Sequence, residues 1–309
     1  MKKRWALIWL VPVWLCGQAY ITEELVLDNG AIELPGTLSY PAGAATPPLA
    51  IFVHGSGNVD RNGNQGFFVK ANYIKLLADS LNANGIAVYR YDKRTANPKN
   101  RAHLGGTLLM DYASDVRAAI AHFKDDSKFG SIHLIGHSQG SLVAMLAVTD
   151  QVDGFISIAG AARTIDHIMV DQVARQDSLL GVSTQEHFTE LMETDTIQKV
   201  HVNLMQLFAP QNQRFVKNWA TYSPTELIAD LQLPVLLLHG TMDGQVPVQE
   251  AMALHSARPN ARFKTIERMN HVLKHLNDAQ DDLKTYLDAN FDLTEELVKE
   301  IAAFIHLHG

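Results

Sequence analysis

The chain has 309 residues, 47% of them hydrophobic, enough to bury a sizeable core in one or two domains. Charged residues make up 19%, no long run carries one sign, and the net charge is −7. There is therefore no basic stripe of the kind that grips nucleic acid, and no tract with a disordered composition.

The N-terminus carries the first element. Lys2, Lys3 and Arg4 precede an apolar run from Trp5 to Cys16, and Gly17-Gln18-Ala19 then offers small residues for a cleavage site. Charged, apolar, small is the order of a secretory signal peptide, expected here over residues 1–19. The run is shorter than the roughly 20 apolar residues of a spanning helix. A periplasmic or secreted protein follows, with no stable membrane anchor once the signal is cleaved; anchoring by an uncleaved N-terminus is the alternative. Cleavage would also remove Cys16, the only cysteine, and with it disulfide or thiol chemistry.

Short apolar runs then alternate with helical patterns. Strands are expected at Thr37–Tyr40, Leu49–Val53, Ile86–Tyr91, Ile132–Ile135, Phe155–Ile158, Val235–Leu238 and Arg262–Ile266. Helices are expected at Tyr73–Leu81, Tyr112–Phe123, Leu142–Val148 and Leu293–Leu307. This rhythm predicts an α/β protein with a parallel sheet buried on both faces. One interval departs from it. Between Arg163 and Tyr222 apolar residues recur only at helical spacing: Ile165, Ile168 and Met169, then Phe188, Leu191 and Met192, then Val200, Leu204 and Phe208. A structureless loop of that length is improbable. The chain thus reads as a core, 20–162 and 223–309, carrying a helical cap over 163–222.

The stretch Ser131–Gly140 holds the chemistry. An apolar strand runs into Gly136-His137-Ser138-Gln139-Gly140, and a helical pattern follows. G-x-S-x-G in that setting puts the serine on a sharp strand-to-helix turn, with its hydroxyl projecting from the sheet end. The two glycines keep the crowded turn free of side chains. The backbone N–H of Gln139 is then aimed at an oxyanion developing beside Ser138.

A serine hydroxyl needs a base, and a base needs an orienting acid. Sheets with such a turn supply them in chain order serine, acid, histidine. Asp243 lies in the loop past Val235–Leu238, at the strand end where ligand sites collect. Asp230 and Asp278 fit that position less well, and an Asp-Gly pair such as Asp243-Gly244 also serves plain turns. His271 follows the last strand and is the expected base; His275 is the runner-up, and His239 suits loop support. A second oxyanion donor is expected after the strand ending at Val53, in His54-Gly55-Ser56-Gly57: the backbone N–H of Ser56, with Gly57 as the neighbouring choice. No H-E-x-x-H, phosphate loop or G-x-G-x-x-G occurs, so no metal and no cofactor are expected.

Together these residues resemble the α/β-hydrolase superfamily over nearly all of the chain after the signal. The likeness is strongest to its bacterial esterase branch, which is similar to serine aminopeptidases and dienelactone hydrolases. Leu34–Leu38 with Tyr40-Pro41 looks like that branch's opening strand, His54–Gly57 with Asp60-Arg61 its oxyanion loop, and Tyr91-Asp92-Lys93-Arg94 its Tyr-Asp-Lys-Arg-Gly stretch. Thr95 replaces the glycine, and Asn58 stands where proline is common. The resemblance implies an α/β-hydrolase fold, and hydrolysis of a small-molecule carboxylic ester with a short to medium acyl chain. Asp60, Arg61, Asp92 and Arg94 read as a salt-bridged frame for the oxyanion loop, or alternatively as a place where an arginine meets a substrate carboxylate. Met169, Met192, Met205 and Phe208 are expected among the cap residues facing the acyl group. Two other functions stay open: a peptidase or amidase, for which Glu186, Glu190 and Glu193 offer carboxylates to hold an N-terminus, and a non-catalytic ligand-binding protein.

Overall fold

The computed structural model describes residues 20–309, so the expected signal peptide lies outside the described residues. The strands are β1 (Tyr20–Asn29), β2 (Ile32–Pro41), β3 (Leu49–Val53), β4 (Ala87–Tyr91), β5 (Ile132–His137), β6 (Gly154–Ile158), β7 (Val235–Gly240) and β8 (Arg262–Ile266). They form one sheet in the order β1-β2-β4-β3-β5-β6-β7-β8. From β3 to β8 neighbouring strands are parallel, while β2 is antiparallel to both β1 and β4.

Helices α1 (Tyr73–Ala83), α2 (Leu109–Phe123) and α3 (Gln139–Ala147) join the first strands. Between β6 and β7 lie α4 (Ile165–Gln176), α5 (Ser178–Thr194), α6 (Met205–Phe208) and α7 (Pro210–Ala220), and α8 (Pro224–Asp230) leads back to the sheet. The chain ends with α9 (Val248–Ala257), α10 (Asp282–Leu287) and α11 (Glu295–Leu307).

The pleat explains the layering. Every residue of β3 is buried. Leu49, Ile51 and Val53 point to a core shared with α2 and α3, and Ala50 and Phe52 to a second core shared with α1 and α11. Both faces of the strand must then be apolar, as in sheets covered on both sides. Burying each such Leu, Ile or Phe contributes about 1.5–3 kcal/mol.

The helical insert has a small core of its own, built from Phe188, Leu191, Ile197, Leu204, Phe208 and Val216. Met169 and Phe215 pack against both this core and that of the sheet. The departure point is pinned by Glu250 of α9, a buried carboxylate. It accepts from the N–H groups of Ala162 (2.9 Å) and Arg163 (3.0 Å) and from Arg163 Nε (2.7 Å).

Strand β1 is not among the expected elements: most of its side chains are exposed, and its apolar run, Leu25-Val26-Leu27, is only three residues long. α9 and α10 were likewise not expected. α3 starts three residues before Leu142, directly at the serine.

Candidate active site

The turn from β5 into α3 forces Ser138 to φ 54° and ψ −123°, backbone space that residues other than glycine rarely occupy. The surroundings hold it there. Ser138 N–H donates to Ile158 O at 2.9 Å, and Ser141 N–H donates to Ser138 O at 2.9 Å. A side chain on Gly140 would put its Cβ 2.1 Å from Val53 O, and one on Gly136 would lie 2.5 Å from Gly140 O. Gly140 is thus required by how closely β3 passes the elbow, and Gly136 by the first turn of α3 folding back over the end of β5.

His271, in the loop after β8, places Nδ1 2.8 Å from Asp243 Oδ2. That bond fixes the tautomer: Nδ1 carries the proton and donates, and Nε2 is left as the basic nitrogen. Asp243 Oδ1 accepts from the N–H groups of Gln245 (2.8 Å) and Val246 (2.9 Å). Burial opposes ionisation of this carboxyl, but His271, His239 and the Val246 N–H outweigh it and hold its pKa below the ordinary value.

Two further histidines brace this pair. His239, buried under the loop, donates from Nε2 to Val246 O at 2.9 Å. His137 donates from Nε2 to His271 O at 2.8 Å, and burial pushes its pKa down to about 3, so it is neutral. The sequence marked His137 only as a spacer in G-x-S-x-G; its partner lies 134 residues away, beyond any local pattern.

Ser138 opens on two cavities. One, of about 100 Å³, is lined by His271, Gly55, Ser56, Tyr73 and Tyr286 as well as Ser138. The other, about 240 Å³, runs under the insert between Ser138, Leu142, Ile168, Met169, Leu207 and Trp219. Ser56 lines both cavities and Gln139 the larger. Among the described residues neither Ser56 N–H nor Gln139 N–H donates to a backbone carbonyl. Gly57 adopts φ 91°, and a Cβ there would strike the Gln65 amide.

Behind the two donors lies Lys93, buried in the loop two residues past β4. Its Nζ donates to Gly55 O at 2.7 Å and to Gln139 Oε1 at 2.8 Å, and it stands 4.5 Å from the Tyr112 ring centroid. Burial lowers its pKa to about 7, against the pull of Asp115.

The four charged residues expected as one salt-bridged frame divide: Asp60 makes no salt bridge among the described residues and accepts from the N–H groups of Asn62 and Asn64 in its own turn (both 2.8 Å), while the other three form ion pairs. Arg61 grips Asp92 with Nε (3.0 Å) and a terminal nitrogen (2.9 Å). Arg94 pairs not with Asp92 but with buried Asp115, again through two contacts of 2.7 Å. Neither arginine lines the cavities at Ser138, so the geometry favours the frame over a substrate carboxylate.

Other candidates fall elsewhere. Asp230, Asp278 and His275 line neither cavity, and nor do Glu186, Glu190 and Glu193. Of the cap side chains expected to face an acyl group, only Met169 lines a cavity at Ser138. Met192 and Met205 are exposed, and Phe208 is sealed inside the insert. Leu207, Trp219 and Tyr222 line the cavity instead. Helical spacing identifies an apolar face but not what that face covers. Among the described residues no group of three His, Cys, Asp or Glu side chains is placed to hold a metal ion.

An eight-stranded, mostly parallel sheet with a serine elbow at its strand ends and a histidine–aspartate pair beside it defines the α/β-hydrolase fold. Residues 50–283 match the model of the alpha/beta hydrolase family, and the chain belongs to that family. It is 27% identical over 256 residues to esterase EstD of Thermotoga maritima, which covers 81% of this chain. The chain spans 60% of the length of that curated relative. Among solved structures, Est1E from Butyrivibrio proteoclasticus superposes with a TM-score of 0.58 at 20% identity, over 92% of this chain and 99% of its own. The Pyrococcus furiosus esterase Pf2001 does so with 0.61 at 15% identity, over 97% of both chains.

Proposed function

We propose that the protein is a serine esterase that cleaves small carboxylic esters through an acyl-enzyme on Ser138. The observation that carries this reading is the 2.8 Å bond from His271 Nδ1 to Asp243, with Nε2 left free in a site that Ser138 shares. His271 takes the Ser138 proton as the hydroxyl attacks the carbonyl, then returns it to the leaving alcohol. The N–H groups of Ser56 and Gln139 stabilise the tetrahedral oxyanion. Water repeats the cycle and releases the acid. The similarity to EstD supports an ester as substrate.

The insert acts as a cap whose cavity holds the acyl chain. A volume of about 240 Å³ suits a short to medium chain. A panel of p-nitrophenyl esters of increasing acyl length, run beside an aminoacyl amide and a fluorophosphonate label, tests the reading. Ester turnover with labelling at Ser138 is the expected result. Preferred amide turnover would make the protein a peptidase, and no labelling would make it a binding protein.

The reading includes export. No helix among the described residues is long and apolar enough to cross a membrane. Cleavage after Ala19 predicts a mature chain starting at Tyr20, checked by intact mass on protein from the native host.

A further inference from the structure

We propose that Lys93 is a positioning residue for the oxyanion hole, tying both of its arms to one buried side chain and polarising one of them. The inference rests on the esterase reading above.

The geometry is specific. Gly55 C=O and Ser56 N–H belong to the same peptide group. Lys93 Nζ donates to that carbonyl at 2.7 Å, drawing electron density toward oxygen. The Ser56 N–H at the other end of the unit becomes a better donor, because hydrogen bonds in series strengthen one another. The other arm is the Gln139 N–H, and Lys93 Nζ donates to the side chain of this residue at 2.8 Å. One nitrogen therefore sets the spacing between the loop after β3 and the first turn of α3. No backbone hydrogen bond joins Ser56 to Gln139 directly, so the lysine is a bridge between them.

The site is costly to build, which argues against a merely space-filling lysine. Lys93 is 5% exposed, and a buried amino group demands hydrogen-bond partners whether or not it is charged. Two acceptors and the Tyr112 face supply them. A methionine would fill the same volume without that demand.

The test is Lys93→Met, with Lys93→Gln as a milder variant that keeps a donor but is too short to serve both acceptors. Each is titrated with a fluorophosphonate so that rates refer to competent sites, and each is melted to record stability. For p-nitrophenyl acetate we expect kcat to fall about 10–100-fold with KM within threefold, since losing one oxyanion donor outright costs about 10²–10³-fold. Binding of a trifluoromethyl ketone, whose hemiketal oxygen occupies the hole, should weaken by the same factor as kcat/KM. A lysine with only a structural role would lower the melting temperature and leave kcat per titrated site and ketone binding within twofold; that result overturns the proposal. If Lys93→Met does not fold, the same criteria apply to Lys93→Gln, with a loss of about three- to tenfold expected. Wild-type protein that neither reacts with fluorophosphonate nor turns over esters would instead refute the esterase reading, and this inference with it.

Discussion

Asp243 meets His271 with one carboxylate oxygen while the other holds the backbone N–H groups of Gln245 and Val246. The carboxylate therefore cannot rotate without breaking three bonds. This predicts the effect of Asp243→Asn. The amide oxygen would stay with the two backbone donors, and the NH₂ would face His271 Nδ1. That contact requires a lone pair on Nδ1, so the proton moves to Nε2 and the base is lost. We expect kcat for p-nitrophenyl acetate to fall about 10⁴-fold with the fold intact; steady-state kinetics check it.

The same bonds make a pH prediction for stability. The pKa of Asp243 is lower in the native state than its ordinary value. Its stabilising contribution is thus fully present above the unfolded value of about 3.9, and is lost as pH falls through the lower native one. The gap in urea stability between wild type and Asp243→Asn should narrow as pH falls below about 4. Urea unfolding at several pH values measures it.

Ser138→Ala and His271→Ala should each remove activity by about 10⁴-fold or more, and the double variant should be little worse, because the two act as a unit. His275→Ala should retain activity, since His275 lines neither cavity at Ser138. Activity lost in His275→Ala and kept in His271→Ala would reassign the base.

Acyl selectivity should follow the cavity lining rather than the methionine content of the cap. Met169→Ala and Trp219→Ala enlarge the space beside Ser138 and should shift kcat/KM toward longer p-nitrophenyl esters. One methylene in such a pocket is worth about 1–3 kcal/mol. Met192→Ala and Met205→Ala change exposed side chains and should leave the chain-length profile unaltered.

These residues also mark how far the sequence could be read. Ser138 was legible because an apolar strand precedes it and two glycines flank it, a pattern that one backbone conformation demands. Asp243 and His271 were legible from chain order and their places after strands. Strand β1 was not, since most of its side chains are exposed and only Leu25 and Leu27 reach the core. Nor was the contact of Lys93, whose two acceptors lie 38 and 46 residues away. Residue type and period report on local structure; a buried bridge between loops is a property of the folded chain.

Strands β6 and β7 are neighbours in the sheet, and the whole helical insert is the crossover between them. A single short helix could make the same connection. With its departure fixed by Glu250, the insert can lengthen, shorten or be exchanged while sheet register and elbow stay as they are. On the reading proposed above, substrate range is then written largely in a stretch of chain separate from the reaction chemistry, so a lineage could change its diet without relearning how to break the bond.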